Sequence, residues 1–130
     1  MRFFTILLLT LYFMQSSSAA PLAPPARAEI DALMVKLQES RCEFSRNGLW
    51  YSAAEAKSHL LRKLEYLEGR GEVQSTEQFI DLAASKSSLS GQPYRVKCGD
   101  AASLESAVWL YGELKRVRAP APARAAATSK

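Results

Sequence analysis

The sequence predicts an α+β domain in which helix predominates: about four helices packed on a small three-stranded antiparallel sheet, with one disulfide. Three observations carry this reading. Apolar residues recur at helical spacing in four stretches. Asn47-Gly48 sits between two short apolar runs, which is a strong hairpin signal. The segment Tyr94-Arg95-Val96-Lys97-Cys98 alternates apolar and basic residues and ends on a second cysteine.

The chain has 130 residues, a length that suits one domain. Its ends read differently from its middle. Residues 1–20 (MRFFTILLLTLYFMQSSSAA) have the features of a secretory signal peptide: Arg2 as a positive n-region, an apolar run from Phe3 to Met14 broken only by Thr5 and Thr10, then small residues from Ser16 to Ala20. The run is shorter than the roughly 20 residues that span a bilayer. Cleavage is expected after Ala19 or Ala20, with Ala26-Arg27-Ala28 as a weaker alternative and an uncleaved anchor as the competing reading. Residues 21–26 (PLAPPA) read as a Pro-rich spacer. Residues 119–130 (APAPARAAATSK) lack large apolar side chains, so they read as a disordered Ala/Pro tail. The expected domain is 27–118.

The first helix is expected from Arg27 to Ser40, because Ile30, Leu33, Met34 and Leu37 fall on one face. The hairpin follows. Asn47-Gly48 as a two-residue loop sets Arg46 against Leu49, Ser45 against Trp50 and Phe44 against Tyr51. Ser52-Ala53-Ala54-Glu55 is a capping box that opens a second helix, whose stripe is Ala56, Leu60, Leu64 and Leu67. Gly69-Arg70-Gly71 ends that helix. Ser75-Thr76-Glu77-Gln78 is a second capping box opening a third helix, with Phe79, Ile80, Ala83 and Ala84 as its apolar face. Residues 85–91 form a polar loop, and Pro93 precludes helix around it. The strand 94–98 comes next. The fourth helix is expected from Ser103 to Val117, burying Leu104, Ala107, Val108, Tyr111 and Leu114, with Leu110 and Val117 widening the face.

Cys42 and Cys98 allow a single connectivity, and exported cysteines are normally paired. The loop closed is about 57 residues, for which chain entropy supplies roughly 4 kcal/mol. That is comparable with the net stability of a domain this size. No C-x-x-C spacing marks a redox pair. Pairing the cysteines across antiparallel strands puts Phe44 opposite Val96 and Arg46 opposite Tyr94, which orders the sheet 49–51, 42–46, 94–98.

Charge and ligand chemistry exclude several classes. The formal net charge is +4, but Arg2, Arg124 and Lys130 lie in the ends. Setting them aside leaves 14 basic against 13 acidic residues and no basic stripe, so no nucleic acid partner is expected. One His and two Cys leave no ligand set for a zinc, haem or iron–sulfur site, and no cofactor is implied.

Four ordered segments, Phe44-Ser45-Arg46-Asn47-Gly48, Glu55-Ala56-Lys57-Ser58-His59-Leu60, Glu77-Gln78-Phe79-Ile80-Asp81 and Ser87-Ser88-Leu89-Ser90-Gly91-Gln92-Pro93-Tyr94, resemble the YfeK-like family of small exported bacterial proteins, domain of unknown function family 5329. The resemblance covers about residues 30–117. It implies a periplasmic or secreted address and carries no activity with it.

His59 and Lys63 are i, i+4 on the second helix and project from one side. With Arg46, Ser88 and Tyr94 they would form a pocket for a carboxylate or a phosphate. The plainer alternative is a partly buried His59 holding a backbone carbonyl and a solvated Lys63. A hydrolase would use His59 as base, a serine of 85–90 as nucleophile and Asp81 or Glu55 to orient the ring, but no G-x-S-x-G elbow is present. A two-carboxylate glycosidase finds only scattered acids. Trp50 is out of phase with Phe44 and Tyr51, which makes it a candidate partner surface unless a helix covers it; Trp109 is ambiguous in the same way. The function expected is therefore a non-catalytic, exported binding or interaction domain of the bacterial cell envelope, its partner an envelope protein or peptide ahead of a small molecule. The alternatives are a His59 hydrolase or a binder of a small anionic ligand.

Overall fold

The computed structural model describes residues 22–120. The expected leader and most of the expected tail lie outside the described residues. The element order is α1 (Pro24–Ser40), β1 (Glu43–Arg46), β2 (Leu49–Tyr51), α2 (Ala53–Gly69), α3 (Thr76–Ala83), β3 (Arg95–Lys97), β4 (Leu104–Glu105) and α4 (Ser106–Arg118). The helix-dominant α+β class is as expected, but the sheet has four antiparallel strands, ordered β2-β1-β3-β4, not three.

Helix α1 begins within the segment expected to be a spacer. Two prolines occupy its first positions, where a missing N–H costs no intrahelical hydrogen bond and the fixed φ is already helical. Leu22 is buried just before it. Its N–H donates to Glu68 Oε1 at 3.3 Å, and Arg27 Nη2 donates to Glu68 Oε2 at 2.6 Å. The start of the chain's described part is thus fastened to the end of α2. The expected face of α1, Ile30, Leu33, Met34 and Leu37, is completely buried; burial of such side chains stabilises by about 1.5–3 kcal/mol each.

The hairpin register is Phe44 with Tyr51, Ser45 with Trp50 and Arg46 with Leu49. Asn47 (φ 52°) and Gly48 (φ 80°) take the left-handed conformations that a two-residue I′ turn requires. Ser52 caps α2 with both halves of the capping box present. At its other end Gly71 N–H donates to Glu68 O and Glu72 N–H to Leu67 O, a Schellman closure around Gly71 (φ 69°). Ser75 caps α3 through Gln78 N–H, but the reciprocal bond is shifted by one residue: Gln78 Oε1 accepts from Gln74 N–H at 2.8 Å.

Strand β1 pairs with β3 in the register Glu43–Lys97, Phe44–Val96 and Ser45–Arg95. Continuing it one pair sets Cys42 opposite Cys98, and these are disulfide-bonded with Cα atoms 4.3 Å apart. Phe44 and Val96 are buried under the bridge, Phe44 packing edge-on against Trp109 with ring centroids 5.6 Å apart.

Helix α4 departs from expectation. Leu104-Glu105 is a short strand against Arg95 and Val96, and the helix starts at Ser106. The Ser106 N–H donates to Tyr94 O at 2.8 Å, which locks the helix start onto the strand. The buried face is Ser106, Leu110, Glu113 and Leu114; Val108 and Tyr111, expected inside, are exposed. Both apolar stripes are consistent with a 3.6 period, and the short strand selects between them by fixing where the helix begins. Among the described residues no helix is long and apolar enough to cross a membrane.

Replacing both cysteines (Cys42→Ser with Cys98→Ser) should remove about 3–4 kcal/mol of stability in urea unfolding. Reduced wild-type protein should match the double variant; an unchanged midpoint would show that the bridge contributes nothing.

Candidate functional site

A cleft of about 300 Å³ lies between the hairpin and the first half of α2, lined by residues that include Phe44, Arg46, Tyr51, Glu55, His59 and Tyr94. Register explains how the groups meet. Phe44 and Arg46 alternate onto the same face of β1, and Tyr51 joins that face as the partner of Phe44. Extending the β1–β3 register puts Tyr94 beside Arg46. Helix α2, pinned at Ser52, lays His59 and Arg62 over the same spot; Lys63, one turn beyond His59, does not line the cleft but reaches the Tyr94 hydroxyl.

Four of the five expected ligand residues therefore meet. Arg46 Nη1 lies 2.8 Å from His59 Nδ1 and 3.4 Å from Nε2, so Nδ1 is the acceptor. His59 Nε2 lies 3.2 Å from the Tyr94 hydroxyl, and Lys63 Nζ donates to that same hydroxyl at 3.3 Å and to Lys86 O at 3.1 Å. The Arg46 guanidinium also stands over the Tyr51 ring, 5.2 Å from its centroid, and the Lys63 ammonium is equally far from the Tyr94 centroid. Ser88 does not join them: it is exposed on the loop and does not line the cleft. The loop contributes the Lys86 carbonyl instead.

The hydrogen-bond directions follow from the chemistry. A guanidinium can only donate, so Nδ1 of His59 carries no proton and the neutral ring holds its proton on Nε2. That proton goes to the Tyr94 oxygen, which also accepts from Lys63. The Tyr94 oxygen thus takes two donors, His59 and Lys63. Arg46 and Lys63 keep further N–H groups. The cluster is thus a chain of donors that runs from Arg46 through His59 to the Tyr94 oxygen, with Lys63 joining at that oxygen.

Electrostatics agree. Burial, and then the charges of Arg46, Lys63 and Arg62, push the His59 pKa down to about 4. Burial and Arg46 also lower that of Lys63, and burial raises that of Tyr94. Among the described residues neither Arg46 nor Lys63 has a carboxylate within salt-bridge distance, whereas Arg27, Arg70, Arg116 and Arg118 all do.

The hydrolase arrangement is not formed. The hydrogen bonds of His59 run to Arg46 and Tyr94. Ser87 Oγ accepts from Leu89 and Ser90 N–H, and Ser90 Oγ donates to Asn47 Oδ1 at 2.6 Å. Asp81 is taken by the Tyr111 hydroxyl at 2.8 Å, and Glu55 by Ser52 N–H at 3.1 Å. His59 also differs from the plainer expectation, since it is held by side chains and not by a backbone carbonyl. Trp50 is 46% exposed on the outer strand, uncovered by α1 or α2, beside exposed Leu49. Trp109 packs inward on Phe44. Sequence reasoning missed Tyr51 and Arg62 as site residues, although the hairpin register and the i+3 spacing from His59 respectively placed both.

The lowered His59 pKa fixes a pH dependence. Between about pH 4 and the unfolded value near 6.5 the unfolded chain binds the proton that the folded chain excludes, so stability should fall as the solution is acidified through that window. His59 is the chain's single histidine, so its ring resonances should titrate with a midpoint near pH 4, and His59→Gln should flatten the thermal-stability profile there. A midpoint near 6.5 would contradict the packing described.

Comparison with known proteins locates the fold in a lineage. Residues 24–118 match the model of a family described as "Family of unknown function (DUF5329)". Over 68 residues the chain is 44% identical to "Uncharacterized protein YfeK" of Salmonella typhimurium, a match covering 52% of this chain and 55% of that protein. The chain thus spans about half the length of that curated relative. No solved structure matches. With the family model covering the domain from the first turn of α1 to the last turn of α4, the chain belongs to the DUF5329 family, whose function is unknown.

Proposed function

We propose that this chain is an exported domain of the bacterial cell envelope that acts by binding, not catalysis, and that its cleft receives an anionic group. One observation carries the reading: Arg46, Arg62 and Tyr94 line one half-buried cleft, Lys63 donates to the same Tyr94 hydroxyl, and none of the three cations has a carboxylate partner among the described residues. Like charges held close in a partly desolvated site repel, and an anion relieves that repulsion. The arrangement offers no activated nucleophile, because the ring nitrogens of His59 are already engaged. Export is supported by the leader-like residues 1–20 and is compatible with the Cys42–Cys98 bridge. The exposed Leu49 and Trp50 on the neighbouring strand supply an apolar surface for an envelope protein or peptide that carries the anionic group.

Two measurements test this. Sulfate should raise the melting temperature of the wild type by more than it raises that of an Arg46→Gln, Lys63→Gln double variant, because binding to the folded state adds to the general salting effect. Equal shifts would argue against an anion site. Mass spectrometry of fractionated cells should find a shortened, oxidised chain in the envelope fraction; a full-length chain with both thiols free in the cytosol would overturn export.

A further inference from the structure

We infer that the cleft takes an organic acid with a compact apolar body, its carboxylate on Arg46 and its body against the ring and methyl surface beside that residue, in preference to a bare inorganic anion. This rests on the anion-binding reading above and narrows it to a ligand class.

Arg46 is already in place. Its guanidinium is held on two sides, by His59 Nδ1 at 2.8 Å and by the Tyr51 ring, 5.2 Å from the centroid. A side chain fixed in this way has given up rotamer freedom that binding otherwise removes. Among the described residues its hydrogen bonds run to the His59 ring alone, and it forms no ion pair. A guanidinium has five N–H donors, so most of them are unspent, and they keep the planar fork that matches a carboxylate. The charge of the lining suits a single carboxylate. Two cations, Arg46 and Arg62, and one carboxylate, Glu55, border the cleft, and His59 is neutral. Glu55 accepts from the Ser52 N–H at 3.1 Å and pairs with neither cation. Lys63 stands outside the lining, where its ammonium donates to the Tyr94 hydroxyl and to Lys86 O. The lining therefore has a surplus of one positive charge, which a monocarboxylate cancels. The walls call for an apolar body. Phe44 and Tyr51 from the sheet and Ala56 and Leu60 from α2 border the same cleft as Arg46. A bare hydrated ion gains nothing from such surface, whereas an apolar body gains about 25 cal/mol for each Å² it withdraws from water. A volume of about 300 Å³ lies at the small end of ligand pockets and holds one ring or a short chain beyond the carboxylate.

Benzoate, benzamide and acetate, titrated separately into the full protein and followed by calorimetry and through the His59 ring resonances, test the inference. Benzoate should bind about tenfold more tightly than benzamide, which keeps the ring without the charge, and than acetate, which keeps the charge without the ring. Arg46→Met should bring benzoate down to the level of benzamide. Ala56→Leu keeps a good helix former in α2 and fills the place of the body; it should weaken benzoate about tenfold and leave acetate unchanged, with the far-ultraviolet circular dichroism preserved. Equal affinity for benzoate and acetate, or benzoate binding that Ala56→Leu leaves intact, overturns the apolar body and retains an anion site. Benzamide binding as tightly as benzoate overturns both. If none of the three binds at millimolar concentration, the inference falls, and the anion reading falls with it where sulfate also fails to discriminate between wild type and variant. The tripeptide acetyl-Gly-Gly-Phe with a free terminal carboxylate separates the sources. Binding at least as tight as that of benzoate, and lost in the terminal amide, supports the end of a peptide chain as the acid. Tripeptide binding weaker than that of benzoate supports a free small acid.

Discussion

The pairing of β1 with β3 is the constraint on which the rest of the molecule depends. Side chains alternate faces along a strand, so a slip of one residue would turn every one of them over. In the register observed, Cys42 meets Cys98 at one end, Phe44 covers Val96 in the middle, and Arg46 stands beside Tyr94 at the other. Slipped by one, Phe44 would leave the core, the sulfurs would part and the Arg46 guanidinium would face solvent. The covalent bridge and the cleft are therefore two ends of a single alignment. The hairpin continues it outward to Tyr51, and the Ser52 cap turns it directly into α2.

Much of this was legible because the signals are local. A two-residue Asn-Gly loop has one register, Ser at a cap with Glu three residues on defines a helix start, and the α1 stripe Ile30, Leu33, Met34, Leu37 has no rival phase. The bridge then converted local knowledge into a long-range pairing, which is why Phe44 opposite Val96 could be expected. Two elements were not legible. Leu104-Glu105 forms a strand only because Val96 and Arg95 present a free edge to it, and no property of two residues announces that. The phase of α4 follows from the same pairing, so Val108 and Tyr111 were placed inside when they lie outside. Composition misled once as well: proline marks spacers, yet at the first positions of a helix it is favourable, and α1 uses two there.

The cleft shows the same division. That His59 and Lys63 share a side of α2 follows from spacing alone, and that Arg46 and Tyr94 share a side of the sheet follows from the bridge. Their meeting depends on how α2 packs across β1, a tertiary fact. Ser88 was drawn in by its neighbours in the chain, but the loop's own hydrogen bonds, with Ser87 buried and holding Leu89 and Ser90, turn it outward. The result is a cluster whose polarity can be traced donor by donor: Arg46 donates to His59, and His59 and Lys63 donate to the Tyr94 oxygen.

Glu68 ties the start of α1 to the end of α2. It grips Leu22 and Arg27 together, so the two residues behave as a latch between the start of α1 and the end of α2. A peptidase cutting behind Ala28 would sever both halves of that latch, extract Leu22 from the interior and strip the proline-reinforced opening turn. A cut behind Ala19 or Ala20 would spare all of it. Any cut at the later point would therefore take the latch and the first turn of α1 away from the folded body.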